Sequence, residues 1–311
     1  MAIDSAVMNI DDMLCVGVTD GFLLSNTIGR NGQRVSGDVL KSIIRGYRNF
    51  AEKMTSLGVN IRLCGGETAD VGDLVKSIMV DSTVYARFPR DHMIDCNTIQ
   101  PEQAIVGLAS FGKATYEDHE NSGIASNGFT VARHALLHSS YAEKHPETFS
   151  ETLTLDQVYR GPYHLSDALP NSNFTVAEAL LSPTRSYAPI IKEILEKHRK
   201  NISGIIHCTG GALTKCLHFG ENIHYIKNNL FEKPAVFQAI QESAHISDRD
   251  MWKIFNCGHR MEIYCDKKIA DDIVAISKTF NVDAKIIGET KASVTGKNEL
   301  TVEQYGVSKQ Y

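Results

Sequence analysis

The chain has 311 residues, 42% hydrophobic and 22% charged, with a formal net charge of −5. That length suits two domains of ordinary size, and the acidic balance leaves no electrostatic footprint for nucleic acid or an anionic membrane. No apolar run is long enough to span a bilayer, and Met1-Ala2-Ile3-Asp4 lacks the basic start of a secretory signal. The seven cysteines, at 15, 64, 96, 208, 216, 257 and 265, are odd in number and none are paired as C-x-x-C. They read as reduced thiols of a cytoplasmic protein, and His207-Cys208 with Cys216 fits no structural zinc spacing.

In chain order, Asp4 to Cys15 is predicted as a helix carrying Asp11-Asp12, either a solvated face or a carboxylate pointing into a metal site. Phe22 to Ile28 is a strand. Ser36 caps a helix whose apolar residues, from Val39 to Leu57, keep helical spacing until Gly58 ends it. The strand Val59 to Leu63 runs into Gly65-Gly66-Glu67-Thr68-Ala69-Asp70, read as a turn. Paired glycines allow close approach of a ligand, and Glu67 is either a solvated acid or an oxygen ligand for a hard cation. Ser77 to Arg87 is the next strand, and the polar stretch Asp91 to Pro101 sets a boundary between domains 1–97 and 98–311.

In the second domain, Ala104 to Ser110 reads as a buried strand and Lys113 to Gly123 as a polar surface insertion. Ser126-Asn127-Gly128 leads into a helix as a plain cap or an anion site. Ser140 to Asn173 has weak periodicity and reads as a mobile excursion. Ser182-Pro183 is predicted to start a helix with Thr184 and Arg185 in its first turn, where the arginine opposes the dipole unless an anion is near. Strand Ser203 to Cys208, Thr209-Gly210-Gly211 and a helix from Ala212 to Phe219 follow. Asn256-Cys257-Gly258 turns into strand Met261 to Cys265, Asp266 caps a helix, and Ala284 to Gly288 closes the sheet. Thr290 to Tyr311 is a short strand and a loose tail. The alternation predicts an α+β (mixed α/β) protein of two domains. The G-x-G-x-x-G, Walker, G-x-S-x-G and H-E-x-x-H patterns are missing.

Six stretches in the same order resemble the aminoimidazole ribonucleotide synthetase family, also called phosphoribosylformylglycinamidine cyclo-ligase. They are Asp11-Asp12, Gly65-Gly66-Glu67-Thr68-Ala69-Asp70, Ser126-Asn127-Gly128, Ser182-Pro183-Thr184-Arg185, His207-Cys208-Thr209-Gly210-Gly211 and Phe255-Asn256-Cys257-Gly258. The resemblance implies ATP-dependent phosphorylation of the formyl oxygen of formylglycinamidine ribonucleotide, followed by ring closure to aminoimidazole ribonucleotide. It implies Mg2+ on Asp12 and Glu67, ATP contacts from Gly65, Gly66, Thr68, Ser126 and Gly128, and substrate contacts from Thr184, Arg185, Thr209, Gly210, Gly211 and Asn256. It makes His207 and Asn127 the catalytic candidates, His207 as a proton shuttle or a structural histidine, and it implies a homodimer.

The sequence departs from the family pattern at Ala125, where histidine is usual, at Arg260, where glycine is usual, and at Asp11 and Asp70, where Asn and Glu are usual. The family's Asp-Gly-x-Gly-Thr-Lys segment is not in this sequence, so a truncated first domain with half an ATP site is expected. The alternatives are selenophosphate synthetase, thiamine monophosphate kinase or the hydrogenase-maturation dehydratase, which share the two-domain plan, or a non-catalytic fragment.

Overall fold

A computed structural model describes all 311 residues. The first unit is a three-stranded sheet backed by two helices. Helix α1 (Ala2–Cys15) precedes strand β1 (Phe22–Arg30), helix α2 (Gly37–Ser56) and strands β2 (Ile61–Asp70) and β3 (Ile78–Tyr85). The order is β2-β1-β3, with β1 parallel to β2 and antiparallel to β3. The 3.6-residue period places Val7, Ile10 and Leu14 of α1, and Ile43, Tyr47, Phe50 and Met54 of α2, on one face of the sheet. Each such side chain contributes about 2 kcal/mol on burial. Gly58 ends α2 at φ +84°, a conformation that favours glycine. The other face of the sheet carries no helix and leaves Leu23, Met79 and Tyr85 exposed.

The Gly-Gly-Glu segment is strand, not turn. Strand β2 continues through it to Asp70, and the parallel pairing with β1 slips by one residue, so that Leu63 faces Leu24 while Gly66 faces Asn26. The extra residue is a β-bulge. Gly65 adopts φ +102° there, and a Cβ on Gly66 would lie 2.5 Å from the carbonyl oxygen of Asn26. The two glycines therefore serve the bulge and the close approach of two backbones.

The second unit is a seven-stranded sheet of order β10-β9-β6-β8-β4-β7-β5. Strand β4 (Ala104–Ala109) lies in its interior. Helices α3 (Phe129–Leu136), α4 (Ser140–Lys144), α5 (Val176–Leu181) and α6 (Ala188–His198) follow, then β5 (Ile202–His207), β6 (Ile223–Lys227), α7 (Ala235–Ala244), α8 (Asp248–Ile254), β7 (His259–Cys265), α9 (Ala270–Thr279), β8 (Ala284–Ala292), β9 (Glu299–Gln304) and β10 (Val307–Gln310). All neighbours are antiparallel except β6 and β9. Alternation along β4 sends Val106 and Leu108 to one face and Ile105 and Ala109 to the other. The second face packs on α3, α7 and α8. The first packs on α6 and α9 and also on α1, so Val7, Ile10 and Leu14 share one continuous core with Val106, Ile205 and Ile263.

Five expectations are revised here. Ser182 to Tyr187 is irregular, and the helix starts only at Ala188 with Pro189 in its first turn. The irregular stretch is held by side chains of α1 and of the 113–123 segment, which outweigh the helix signal of Ser-Pro. That segment is no surface insertion, for Ala114, Tyr116, Asn121 and Ser122 are buried. The 140–173 excursion holds α4 and short 3-10 turns. Ala212 to His218 is a 3-10 helix, and the polar tail forms the hairpin β9–β10.

Gly66→Ala should destabilise the protein by about 1–3 kcal/mol through the clash with Asn26. Urea unfolding checks this against Gly37→Ala, where an added Cβ meets nothing within 4 Å.

Candidate active site at the seam of the two sheets

Asp4 and Asp11 lie seven residues apart, two helical turns, and so share one stripe of α1. Both face the irregular 182–187 stretch. Asp4 accepts from the amide and hydroxyl of Thr184 at 2.9 and 2.8 Å. Asp11 accepts from the Ser186 hydroxyl at 2.9 Å and the Tyr187 amide at 3.3 Å. Arg260, at the start of β7, completes the seam. Its Nη2 donates to Asp11 at 3.2 Å and to the carbonyl of Arg185, its Nη1 donates to His207 Nε2 at 3.1 Å, and its guanidinium stacks on Tyr187.

A guanidinium can only donate, so His207 Nε2 accepts and its Nδ1–H donates to Asp12, at 2.8 Å. Burial, together with the Arg260 and Lys215 cations, lowers the imidazole to about 4 despite the Asp12 bond. Burial pushes the Asp11 carboxyl up to about 7, against the pull of Arg260, Ser186 and Tyr187. Asp12 itself is 60% exposed; burial opposes ionisation there, but the hydrogen bond from His207, with the Lys215 and Arg260 charges, prevails and holds its carboxyl below the usual range.

These contacts reassign several candidates. His207 has both ring nitrogens engaged and is an anchored neutral imidazole, not a free proton shuttle. Arg185 spends every N–H within the protein: Nε and Nη2 grip Glu117 at 2.8 and 2.6 Å, and the rest donate to the carbonyls of Ala109, Phe111 and Gly112. No donor is left for a substrate phosphate. Thr184 is committed to Asp4. Asn256 bridges three segments, accepting from the Ser110 hydroxyl and the Gly258 amide and donating to the carbonyl of Gly123.

Asp12 and Glu67 do not converge. Glu67 pairs with Thr27, whose neighbour Ile28 is fully buried on the helix side, so Glu67 projects from the face without helices. Asp12 sits on the helix side, and two carboxylates so placed in one copy cannot grip one ion. The one group of three metal-type side chains is Cys208, His259 and Glu262, all buried. Lys227 donates to one Glu262 oxygen at 2.6 Å, and Tyr264 takes the other.

A cleft of about 490 Å³ opens between the units, lined among others by Asp4, Met8, Val80, Asp81, Ser126 and Phe129. The Ser126 hydroxyl is buried without a partner. Asn127 donates to the carbonyl of Ile254 at 2.6 Å. Gly128 adopts φ +74°, and a Cβ there would strike the Phe255 ring at 2.7 Å. None of Gly65, Gly66 and Thr68 lines the cleft. Thr209-Gly210-Gly211 forms a separate turn near Asp12. Lys215 Nζ donates there to Thr209 Oγ1 and to the carbonyl of His207, both at 3.1 Å, and Gly210 borders open space. Sequence reasoning passed over Asp4, Glu117 and Lys215 and noted Arg260 only as a departure. The seven-residue spacing of Asp4 and Asp11 was the signal available.

His207 should stay neutral, with its proton on Nδ1, down to about pH 4. Its folded pKa lies below the unfolded value of about 6.5. The stability it contributes is therefore present above pH 6.5 and is lost as pH falls through 4. Nitrogen NMR of the imidazole checks both statements; titration near pH 6.5 would contradict them.

The chain matches the family model of the AIR synthase related protein N-terminal domain over residues 1–87 and that of the C-terminal domain over residues 100–299. It is 28% identical over 295 residues to the phosphoribosylformylglycinamidine cyclo-ligase of Methanocaldococcus jannaschii, spanning 94% of this chain and 72% of that protein. With the enzyme of the same name from Staphylococcus carnosus it shares 29% over 301 residues, spanning 94% and 74%. Among solved structures, hydrogenase maturation protein HypE in complex with ATP superimposes with a TM-score of 0.62 at 12% identity, covering 99% of this chain and 78% of that one. T. maritima PurL complexed with FGAR does so at 0.54 and 14%, covering 99% and 41%. These two show a shared fold. Two matching domains in one order, over nearly the whole chain, place this protein in the AIR synthase related family.

Proposed function

We propose that the chain is an ATP-dependent cyclo-ligase of purine biosynthesis, converting formylglycinamidine ribonucleotide to aminoimidazole ribonucleotide. The observation that carries this reading is the presence of both family domains in one chain, most of whose length aligns with relatives of that name. In the proposed reaction the formyl oxygen takes the terminal phosphoryl group of ATP, releasing ADP. A substrate nitrogen attacks the activated carbon, phosphate leaves, and the imidazole ring closes. The chemistry is mostly positioning and charge stabilisation.

The cleft suits the reactive part of the substrate. Met8, Val80 and Phe129 supply apolar walls that exclude water, and Asp4, Asp81 and the Ser126 hydroxyl supply polar groups at its edge. Asn127 stays a catalytic candidate through its side-chain oxygen, its amide nitrogen being engaged. Thr209, Gly210 and Gly211 stay substrate-binding candidates on an open turn. Mg2+ belongs to the proposal as the counter-ion of ATP. Asp12 and Glu67 of one copy do not share it, and no step depends on their doing so.

A homodimer is part of the same reading. The sheet face carrying Leu23, Met79, Tyr85 and Glu67 is uncovered, and its edge strand β2 is exposed along nearly its whole length. An exposed apolar face next to an open strand edge favours pairing. A second copy there would surround Gly65, Gly66, Thr68 and Glu67, the candidates that the cleft does not reach. A cytoplasmic location is also proposed.

Incubation with ATP, Mg2+ and formylglycinamidine ribonucleotide should release ADP and aminoimidazole ribonucleotide in equal amounts; no ring-closed product would refute the reading. Glu67→Ala should lower the rate by at least about tenfold if its carboxylate serves the nucleotide's metal. An unchanged rate removes Glu67 from the site. Leu23→Glu should shift the particle mass from two copies to one in light scattering, and a mass of one copy for the unaltered protein would remove the dimer.

A further inference from the structure

Arg185 has no free donor, so a phosphorylated substrate needs another cation. We propose that Arg133 is that cation: its guanidinium seats the phosphate monoester of the ribonucleotide beyond the Phe129 end of the cleft. The inference rests on the cyclo-ligase reading for the identity of the ligand.

Arg133 lies one turn after Phe129 on α3, and residues four apart on a helix are neighbours, about 5–6 Å between Cβ atoms. Phe129 lines the cleft. The Arg133 guanidinium stands 5.9 Å from the Phe129 ring and 6.0 Å from that of Tyr159. Only Nη1 is engaged, with the carbonyl of Thr148 at 3.2 Å and the hydroxyl of Tyr159 at 3.0 Å. Both partners are neutral. Nε and Nη2, the edge that grips two oxygens of a phosphate at once, are uncommitted.

The surroundings reinforce this charge instead of cancelling it. Arg160 and His134 share the corner: the Arg160 amide bonds to the His134 carbonyl, and His134 stacks on Tyr159 at 4.9 Å. The imidazole is held below its ordinary range by burial and by the Arg133 and Arg160 charges. Two acids of the same excursion are spent elsewhere. Glu147 pairs with Arg34 and His145, and Glu151 with Lys76. A half-buried guanidinium lacking a carboxylate carries an unreturned desolvation cost, and an incoming anion offsets it.

A second feature at the same end of the cleft points to a ligand. The Ser126 hydroxyl, three residues before Phe129, is buried with no partner in the protein, and groups of that kind ordinarily find one. The excursion that supplies Thr148 and Tyr159 is also tied to the first unit, through Arg34–Glu147 at 3.2 Å, Lys76–Glu151 at 3.0 Å and Lys76 to the carbonyl of Phe149. The phosphate seat is thereby fixed relative to both walls of the cleft.

The test titrates the full chain with formylglycinamidine ribonucleotide, its dephosphorylated nucleoside, ribose 5-phosphate and ATP. Arg133→Gln should weaken the ribonucleotide and ribose 5-phosphate by at least about tenfold, the scale of a charge-assisted pair, with unchanged affinity for the nucleoside and for ATP. Arg133→Lys should recover part of the loss, and the melting temperature of both variants should match that of the unaltered chain. In turnover the loss should fall on KM, with kcat kept. Unchanged ribonucleotide affinity, an equal loss for the nucleoside, or a loss confined to ATP would each overturn the assignment. Arg133-dependent binding of ribose 5-phosphate by a chain that closes no ring would uphold the seat and refute the cyclo-ligase reading instead.

Discussion

Arg260 lies fully buried where α1, β5, β7 and the 182–187 stretch converge. Removing a guanidinium from water costs several kcal/mol, and only an opposed charge with well-placed acceptors returns it. Asp11 supplies the charge, the carbonyl of Arg185 and Nε2 of His207 supply the acceptors, and Tyr187 supplies a ring face. Each of these partners is thereby fixed. His207 takes one tautomer, which points its remaining proton at Asp12. The 182–187 stretch stays out of the helix, which brings Arg185 to Glu117 and Thr184 to Asp4. The position of nearly every polar group at the seam follows from the compensation of this one cation.

That dependence explains which parts of the molecule the sequence disclosed. Helices α1 and α2 were legible because their apolar residues recur at helical spacing and decide the structure locally. Strand β3 was legible from its β-branched Ile78, Val80, Thr83 and Val84. The glycine pair was recognised as special but taken for a turn. A strand with a bulge and a turn with a close approach ask for the same two glycines, and only the register against β1 separates them. Ser182-Pro183 failed in the opposite way: the local signal was sound and the tertiary bonds of Asp4 and Asp11 overrode it. No local pattern could report them, since their partners are more than 170 residues away.

The candidate site was legible as a set of motifs and much less as a set of roles. Arg185, Asn256 and Thr184 stand in the motif stretches, yet each is occupied by neighbouring protein groups and builds the seam. Arg133 is the converse: it stands in none of the motif stretches, but the folded chain leaves it with unspent donors, and Ser126, which does stand in one, keeps its buried hydroxyl without a partner. Whether a polar group is free depends on everything that packs around it, and composition and spacing do not carry that information.

The continuous core shared by α1 and the second sheet has a mechanical consequence. Two units joined by a thin polar contact can open and shut around a ligand as rigid bodies. Here Val7, Ile10 and Leu14 are embedded among Val106, Ile205 and Ile263. Any rotation of one sheet against the other would tear apolar contacts apart and strand Arg260 away from Asp11. The two sheets are therefore built as a single stiff frame, and the motion that admits a ligand and releases a product falls to the loops around the cleft.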